Sequence, residues 1–164
     1  MIFKIKKHNT DLYNTLLHLS RNLNFYNKMN IKDTFESRIY LMFMHFSIIL
    51  IIFRKKETNF PQSHYDDLFY CIENNLRELG FGDVAVNKKM KTLNKIFYDI
   101  LLKINIEPNN FKINKIIILK YFENFTNLEN SKYKLFQQYL INFYHFCFEL
   151  SPKTMIKDAL KFKN

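Results

Sequence analysis

Apolar residues recur every three or four positions along most of the chain, and this spacing predicts amphipathic α-helices. The first predicted helix begins at Asn9 or Thr10 and ends near residue 28. Further helices are predicted at residues 63–79, 88–103, 113–125 and 131–150, with a short tail helix after Ser151 and Pro152. No strand pattern, repeat or linker stands out. The sequence therefore predicts an all-α fold, an irregular bundle of about six helices plus a short C-terminal helix, in a single domain over residues 1–164.

The second predicted helix contains the most apolar run of the chain, residues 39–53, and begins after a capping-box pattern at residues 33–36. Fifteen helical residues span about 22 Å, which is shorter than the roughly 30 Å of a bilayer core. We therefore interpret this run as a central core helix and not as a transmembrane span. His45 lies within it and Arg38 lies two turns earlier, so we predict that both side chains are partly buried and hydrogen-bonded.

The only glycines of the chain, Gly80 and Gly82, lie two positions apart. Gly80 follows the third predicted helix, where a helix end often requires a left-handed residue. Gly82 and Asp83 then form a tight turn before the next helix. We predict a positive φ angle at Gly80 and a bond or ion pair from Arg77 to this loop.

The residues around this turn resemble those of a known family. Matching positions are residues 75–83, Val86, the lysine-rich segment 88–91 and the pair Phe97 and Tyr98. Upstream matches are Leu12, Tyr13, Arg21, Phe25, Tyr26, Asp33, Thr34, Arg38 and His45. Residues 12–101 thereby resemble the ubiquinol-cytochrome c chaperone family, as a bacterial-type member. The signature residues are Arg38, His45, Leu76, Arg77, Glu78, Gly80, Gly82 and Asp83.

The chain departs from the family pattern in two places. The family often has Gly and Pro before the Asp-Thr pair, where this chain has Asn30 and Lys32, and paired arginines where it has Ile51 and Ile52. The resemblance implies a non-enzymatic chaperone for assembly of the cytochrome bc1 complex, or complex III, that binds newly made cytochrome b and needs no cofactor. By analogy with mitochondrial members, it also implies a small partner protein and contact with the ribosome. The lack of an evident presequence and the AT-rich bias of the composition favour a bacterial protein at the cytoplasmic face of the inner membrane. The basic start, residues 1–7, lacks the apolar region of a secretory signal.

The formal net charge of +10 suggests an anionic partner, although the richness in Lys, Asn and Ile also fits the bias of an AT-rich genome. Lys88, Lys91 and Lys95 lie at helical spacing opposite an apolar stripe. We call these three residues the lysine strip and interpret them either as an anionic docking site or as an ordinary solvated face.

Two apolar sets could contact a partner or pack against the core. The first is Phe81, Val84 and Val86 near the glycine turn, a candidate contact for an apolar client. The second lies in the tail, where Met155, Ile156, Ala159 and Leu160 face one side, and Lys153, Lys157 and Lys161 face the other. This pattern is typical of a helix that lies on an anionic membrane, but packing against the bundle explains it equally well.

The sequence shows no motif of an enzyme or a metal site. Cys71 and Cys147 lie in predicted helices without ligand spacing and are interpreted as buried thiols. Two alternative functions remain open. A basic nucleic-acid or ribosome-binding protein would use the lysines, and a peripheral membrane scaffold would use the tail.

Overall fold

The computed structural model describes residues 9–126 and 130–164. The predicted basic start, residues 1–7, lies outside the described residues. The helices are α1 (Asp11–Ser20), α2 (Leu23–Asn27), α3 (Phe35–Lys55), α4 (Gln62–Glu78), α5 (Asp83–Lys103), α6 (Lys115–Tyr121), α7 (Ser131–Phe148) and α8 (Met155–Asp158). Short 3-10 turns follow α6 at Glu123–Phe125 and α8 at Ala159–Lys161. The described part contains no strand, only an isolated bridge between Asn105 and Ile113, so the predicted all-α fold is confirmed.

Helix α3 lies at the centre of the bundle and contacts α1, α5 and α7. Its residues 41–49 are all buried, because partner helices cover it on every side. Among the described helices it alone is long and apolar enough to cross a membrane, and 61% of its most apolar window is buried inside the protein. The core helix of a water-exposed bundle has the same composition, and the prediction of a central core helix is confirmed.

The beginning of α3 is set by a side-chain cap. Thr34 is the N-cap residue, and its hydroxyl accepts a hydrogen bond from the Ser37 amide at 3.1 Å. The predicted capping box, with Asp33 as the cap and Glu36 as its partner, is therefore shifted by one residue. Asp33 does not cap the helix, and its carboxylate pairs with Arg38.

The prediction of one long first helix is wrong, because the helix is interrupted between α1 and α2. The last turn of α1 closes with bonds to carbonyls three positions earlier, from the Arg21 amide at 3.2 Å and the Asn22 amide at 3.3 Å. The Asn22 side chain then caps α2 by accepting from the Asn24 amide at 3.0 Å. Leu12, Leu16 and Leu19 are buried. Leu23 continues their spacing of three to four residues, but the interruption rotates it away from the core and it is exposed.

The region after α5 is held by polar contacts. The Asp99 carboxylate accepts from Lys103 on its own helix, from Lys120 at 2.6 Å and from the Tyr121 hydroxyl at 2.6 Å. These bonds hold the pKa of Asp99 well below its usual range. They tie α6 to α5, and α6 is shorter than the predicted helix at residues 113–125 because the last part turns as a 3-10 helix.

The C-terminal tail packs on the bundle. Met155, Ile156 and Ala159 are buried, and the Thr15 hydroxyl donates a buried hydrogen bond to the Ile156 carbonyl at 2.7 Å. The tail helix begins at Met155 and not directly after Ser151, because residues 152–154 form turns. Of the two interpretations of its apolar side, the structure supports packing, with Leu160 partly exposed.

Candidate functional site

The turn between α4 and α5 is the most locally determined part of the candidate site. Gly80 has a φ of +94°, and its amide bonds to the Arg77 carbonyl at 2.9 Å while the Phe81 amide bonds to the Leu76 carbonyl at 3.3 Å. These two bonds form a Schellman motif, which satisfies the last carbonyls of α4. The predicted left-handed glycine is therefore confirmed.

Arg77 connects the two helices across this turn. Its guanidinium donates to Asp83 at the start of α5 and to Glu73 in α4 at 3.0 Å, which confirms the predicted contact with the loop. Gly82 serves as the N-cap of α5, so the helix starts at Asp83 and not near residue 88 as predicted. An acidic residue in the first turn favours this earlier start, because it complements the helix dipole.

The early start of α5 changes the predicted client contact. Val84 and Val86 lie within the helix and not in a loop. Val86 is fully buried in the core, whereas Phe81 and Val84 are exposed. The Lys89 ammonium lies 4.6 Å from the centre of the Phe81 ring. Only Phe81 and Val84 of this set are therefore available to a partner.

The lysine strip lies on the solvent side of α5, and all three lysines are exposed. None of them forms an ion pair with a carboxylate among residues 9–126 and 130–164. The opposite side of the helix carries the buried Leu93, Phe97 and Ile100. The strip therefore presents three adjacent positive charges without local neutralisation.

A groove of about 410 Å³ lies beside the strip, between α3 and α5. Most of its lining is apolar, and two lysines lie at its α5 edge. Its lining residues are Phe35, Glu36, Tyr40, Leu76, Ala85, Lys88, Lys89, Thr92, Leu93 and Ile96. No local sequence pattern indicates this groove, because the residues of α3 and α5 that line it meet only through the packing of the bundle.

A second cleft of about 420 Å³ lies on the other side of Phe35, between α1, α3 and α4. Arg38 and Glu78 from the signature set line it, together with Arg21. Arg38 is partly buried and forms a two-bond pair with Asp33, at 2.6 and 2.9 Å. This pair lowers the pKa of Asp33 and confirms the predicted hydrogen bonding of Arg38.

His45 is fully buried and hydrogen-bonded within the core, as predicted. Its Nδ1 lies 2.6 Å from the Leu41 carbonyl, which can only accept, so Nδ1 carries the proton. Its Nε2 therefore accepts from the Tyr139 hydroxyl at 2.8 Å. Burial lowers the pKa of His45 to about 4, so the ring is neutral at physiological pH. This pair ties α3 to α7.

The distribution of titratable side chains bears on whether the described residues could bind a metal ion. In the part of the chain that the structure describes, no group of three His, Cys, Asp or Glu side chains could hold a metal ion. Cys71 and Cys147 are both free thiols, and Cys147 is buried as predicted while Cys71 is only half-buried. The features of the described surface that could bind a partner are the groove and the lysine strip.

Residues 27–106 match the sequence model of one protein family, described as ubiquinol-cytochrome C chaperone. The match includes α3, α4, α5 and every signature residue from Arg38 to Asp83. The resemblance drawn from the sequence is confirmed over this range. Five of the residues that support it precede the range: Leu12, Tyr13, Arg21, Phe25 and Tyr26. No curated protein and no solved structure matches the chain significantly.

Proposed function

We propose that this protein is a non-enzymatic chaperone for assembly of the cytochrome bc1 complex, and that its client is newly made cytochrome b. The observation that carries the proposal is the family match over residues 27–106, because those residues build the α4–α5 turn, the lysine strip and the groove. The role of a chaperone requires a surface for apolar segments of a client. The groove is an exposed surface of this kind.

We assign the client contact to the groove between α3 and α5. Phe35, Tyr40 and Ile96 supply apolar area that stays accessible in the folded chain, and burying such area is the main driving force of association. Lys88 and Lys89 at the edge favour client segments that carry an acidic group beside an apolar run. Val86 contributes only indirectly, by anchoring the start of α5 in the core.

We assign to the lysine strip the task of holding the chaperone on an anionic surface near its client. Ribosomal RNA and lipid headgroups both present phosphates that an ammonium group binds. Because the strip and the groove share α5, docking would place the groove at a fixed distance from that surface.

The first test is genetic and biochemical. Deletion of the gene should lower assembled bc1 complex and cytochrome b protein while the cytochrome b transcript stays constant, because the chaperone acts after synthesis. Affinity purification of the full chain from detergent-solubilised native membranes should enrich cytochrome b. Normal bc1 levels in the deletion strain, together with no enrichment of cytochrome b, would refute the proposed function.

A pair of variants tests the groove. Thr92 is exposed and lines the groove, so Thr92→Arg places a long charged side chain at its opening. Asn87→Arg adds the same charge at another exposed position of α5, outside the groove lining. We expect Thr92→Arg to reduce cytochrome b capture and Asn87→Arg to leave it unchanged, with equal thermal stability. Equal capture by both variants would exclude the groove as the client contact.

A further inference from the structure

The solvent side of α5 carries one continuous line of exposed residues. They are Val84, Lys88, Lys91, Lys95, Tyr98 and Leu102. Their spacing alternates between four and three positions, so they follow one face of the helix from its first turn to its last. We call this set the α5 line, and it contains the lysine strip.

The α5 line is apolar at its ends and basic in its middle. Val84 is 85% exposed at one end, and Tyr98 and Leu102 are 49% and 75% exposed at the other. Residues 84–98 contain no acidic side chain. At the end of the same helix Lys103 pairs with Asp99, whereas the three lysines of the line have no carboxylate partner among the described residues.

We infer that the α5 line is a docking surface for an anionic lipid bilayer, on which α5 lies parallel to the membrane plane. Lysine stems can lie along the interface while their ammonium groups bind lipid phosphates. Val84 and Leu102 would insert at the boundary between headgroups and acyl chains, where Tyr98 is also favoured. This inference rests on the docking role proposed above for the lysine strip.

The apolar ends favour a bilayer over nucleic acid. A nucleic-acid backbone would satisfy the lysines but would leave Val84 and Leu102 in water, and the line offers no arginine to a phosphate or base. Exposed Phe81 and Leu79 in the preceding turn extend the apolar area at the Val84 end. An interface that accepts both apolar and cationic groups explains the whole line.

The test is flotation of the purified full chain with vesicles of phosphatidylcholine alone and of phosphatidylcholine mixed with phosphatidylglycerol. We expect binding to the mixed vesicles only, and a loss of at least about tenfold when Lys88, Lys91 and Lys95 are changed to Glu. The matched control changes the exposed Lys28, Lys134 and Lys153 to Glu, which lowers the net charge equally from +10 to +4. This control should retain most of the binding.

A second variant pair tests the apolar ends. Val84→Asn with Leu102→Asn should weaken vesicle binding, whereas Leu23→Asn with Leu135→Asn, at exposed positions of α2 and α7, should not. Unfolding midpoints of all variants confirm that each is folded. Equal losses in the two lysine triples, or no effect of the α5 apolar pair, would overturn the inference. So would binding of the wild-type chain to RNA or to an acidic protein through the strip without binding to vesicles.

The outcome is separable from the proposed function. A detergent extract contains no intact bilayer, so a variant with Lys91→Glu and Lys95→Glu, two lysines outside the groove lining, should still capture cytochrome b there. If the wild-type chain captures cytochrome b but does not bind vesicles, the lipid inference alone is refuted. Retained vesicle binding with no capture removes the chaperone function and leaves the lipid surface in place.

Discussion

Replacement of His45 by Gln offers a direct test of the bond between α3 and α7. The neutral imidazole donates to the Leu41 carbonyl and accepts from the Tyr139 hydroxyl, and the rings of Phe25 and Phe143 pack around it. A Gln side chain cannot place a donor at the position of Nδ1 and an acceptor at the position of Nε2 at the same time. We expect His45→Gln to lower the free energy of unfolding at neutral pH by about 2 kcal/mol, because a buried polar partner is left unsatisfied.

The pH dependence of this cost follows from the low pKa of His45. The folded pKa is about 4 and the unfolded value is 6.5, so the unfolded chain binds a proton at higher pH than the folded chain does. The stability that neutral His45 contributes to the wild type is therefore present above pH 6.5 and is lost as the pH drops toward 4. A difference of about two and a half pKa units corresponds to a total loss of about 3 kcal/mol, of which more than half is already lost at pH 5.

Denaturant unfolding followed by far-UV circular dichroism measures this effect when both proteins are compared from pH 7 to pH 4.5. The other titrating groups are shared, so they cancel in the difference between wild type and variant. We expect the wild-type advantage to shrink or reverse at acid pH. A difference that stays constant over this range would show that His45 is not buried in its neutral form.

Two further predictions concern the turn and the thiols. Gly80→Ala should lower the unfolding free energy by about 1 kcal/mol, because no nearby atom blocks the new Cβ and the cost is that of a positive φ. Gly82→Ser, at an N-cap with ordinary φ, should be neutral in the same denaturation assay, and equal costs for both changes would contradict this reasoning. Iodoacetamide should label Cys71 before Cys147 in the folded chain, since Cys147 is fully buried and its pKa is raised to about 12; mass spectrometry of the digested protein would refute this if Cys147 were modified first.

Features that depend on neighbouring residues were predictable from the sequence. The left-handed Gly80, the contact from Arg77 and the buried His45 all follow from short-range spacing or from one apolar run. The predicted start of α5 is about five residues too late. Met90 and Leu93 have a clear helical spacing, whereas Val84 and Val86 lie close to the glycine turn and suggest a loop. Helix ends often depend on caps that compete closely, and here Gly82 provides the cap.

Features that depend on distant residues were not predictable in the same way. The groove joins Phe35 and Tyr40 to Ala85 and Ile96, which are about fifty positions apart, and no periodicity relates them. The packing of the tail likewise depends on Thr15 and Ile156, which meet only in the folded bundle. The same amphipathic pattern would suit a membrane surface or a core, and only tertiary structure separates the two.

Helix α5 has a core face, a face toward the groove and the α5 line, and this arrangement constrains how a client and a membrane could be engaged together. Its core face, with Phe97 fully buried, packs the helix against the rest of the bundle. Ala85 and Ile96 face the groove and lie roughly a third of a turn from the α5 line on the helical circumference. The groove would therefore open beside the bilayer and not into it. A client segment could occupy the groove as it leaves the interface, while the lysines of the α5 line stay bound to lipid phosphates.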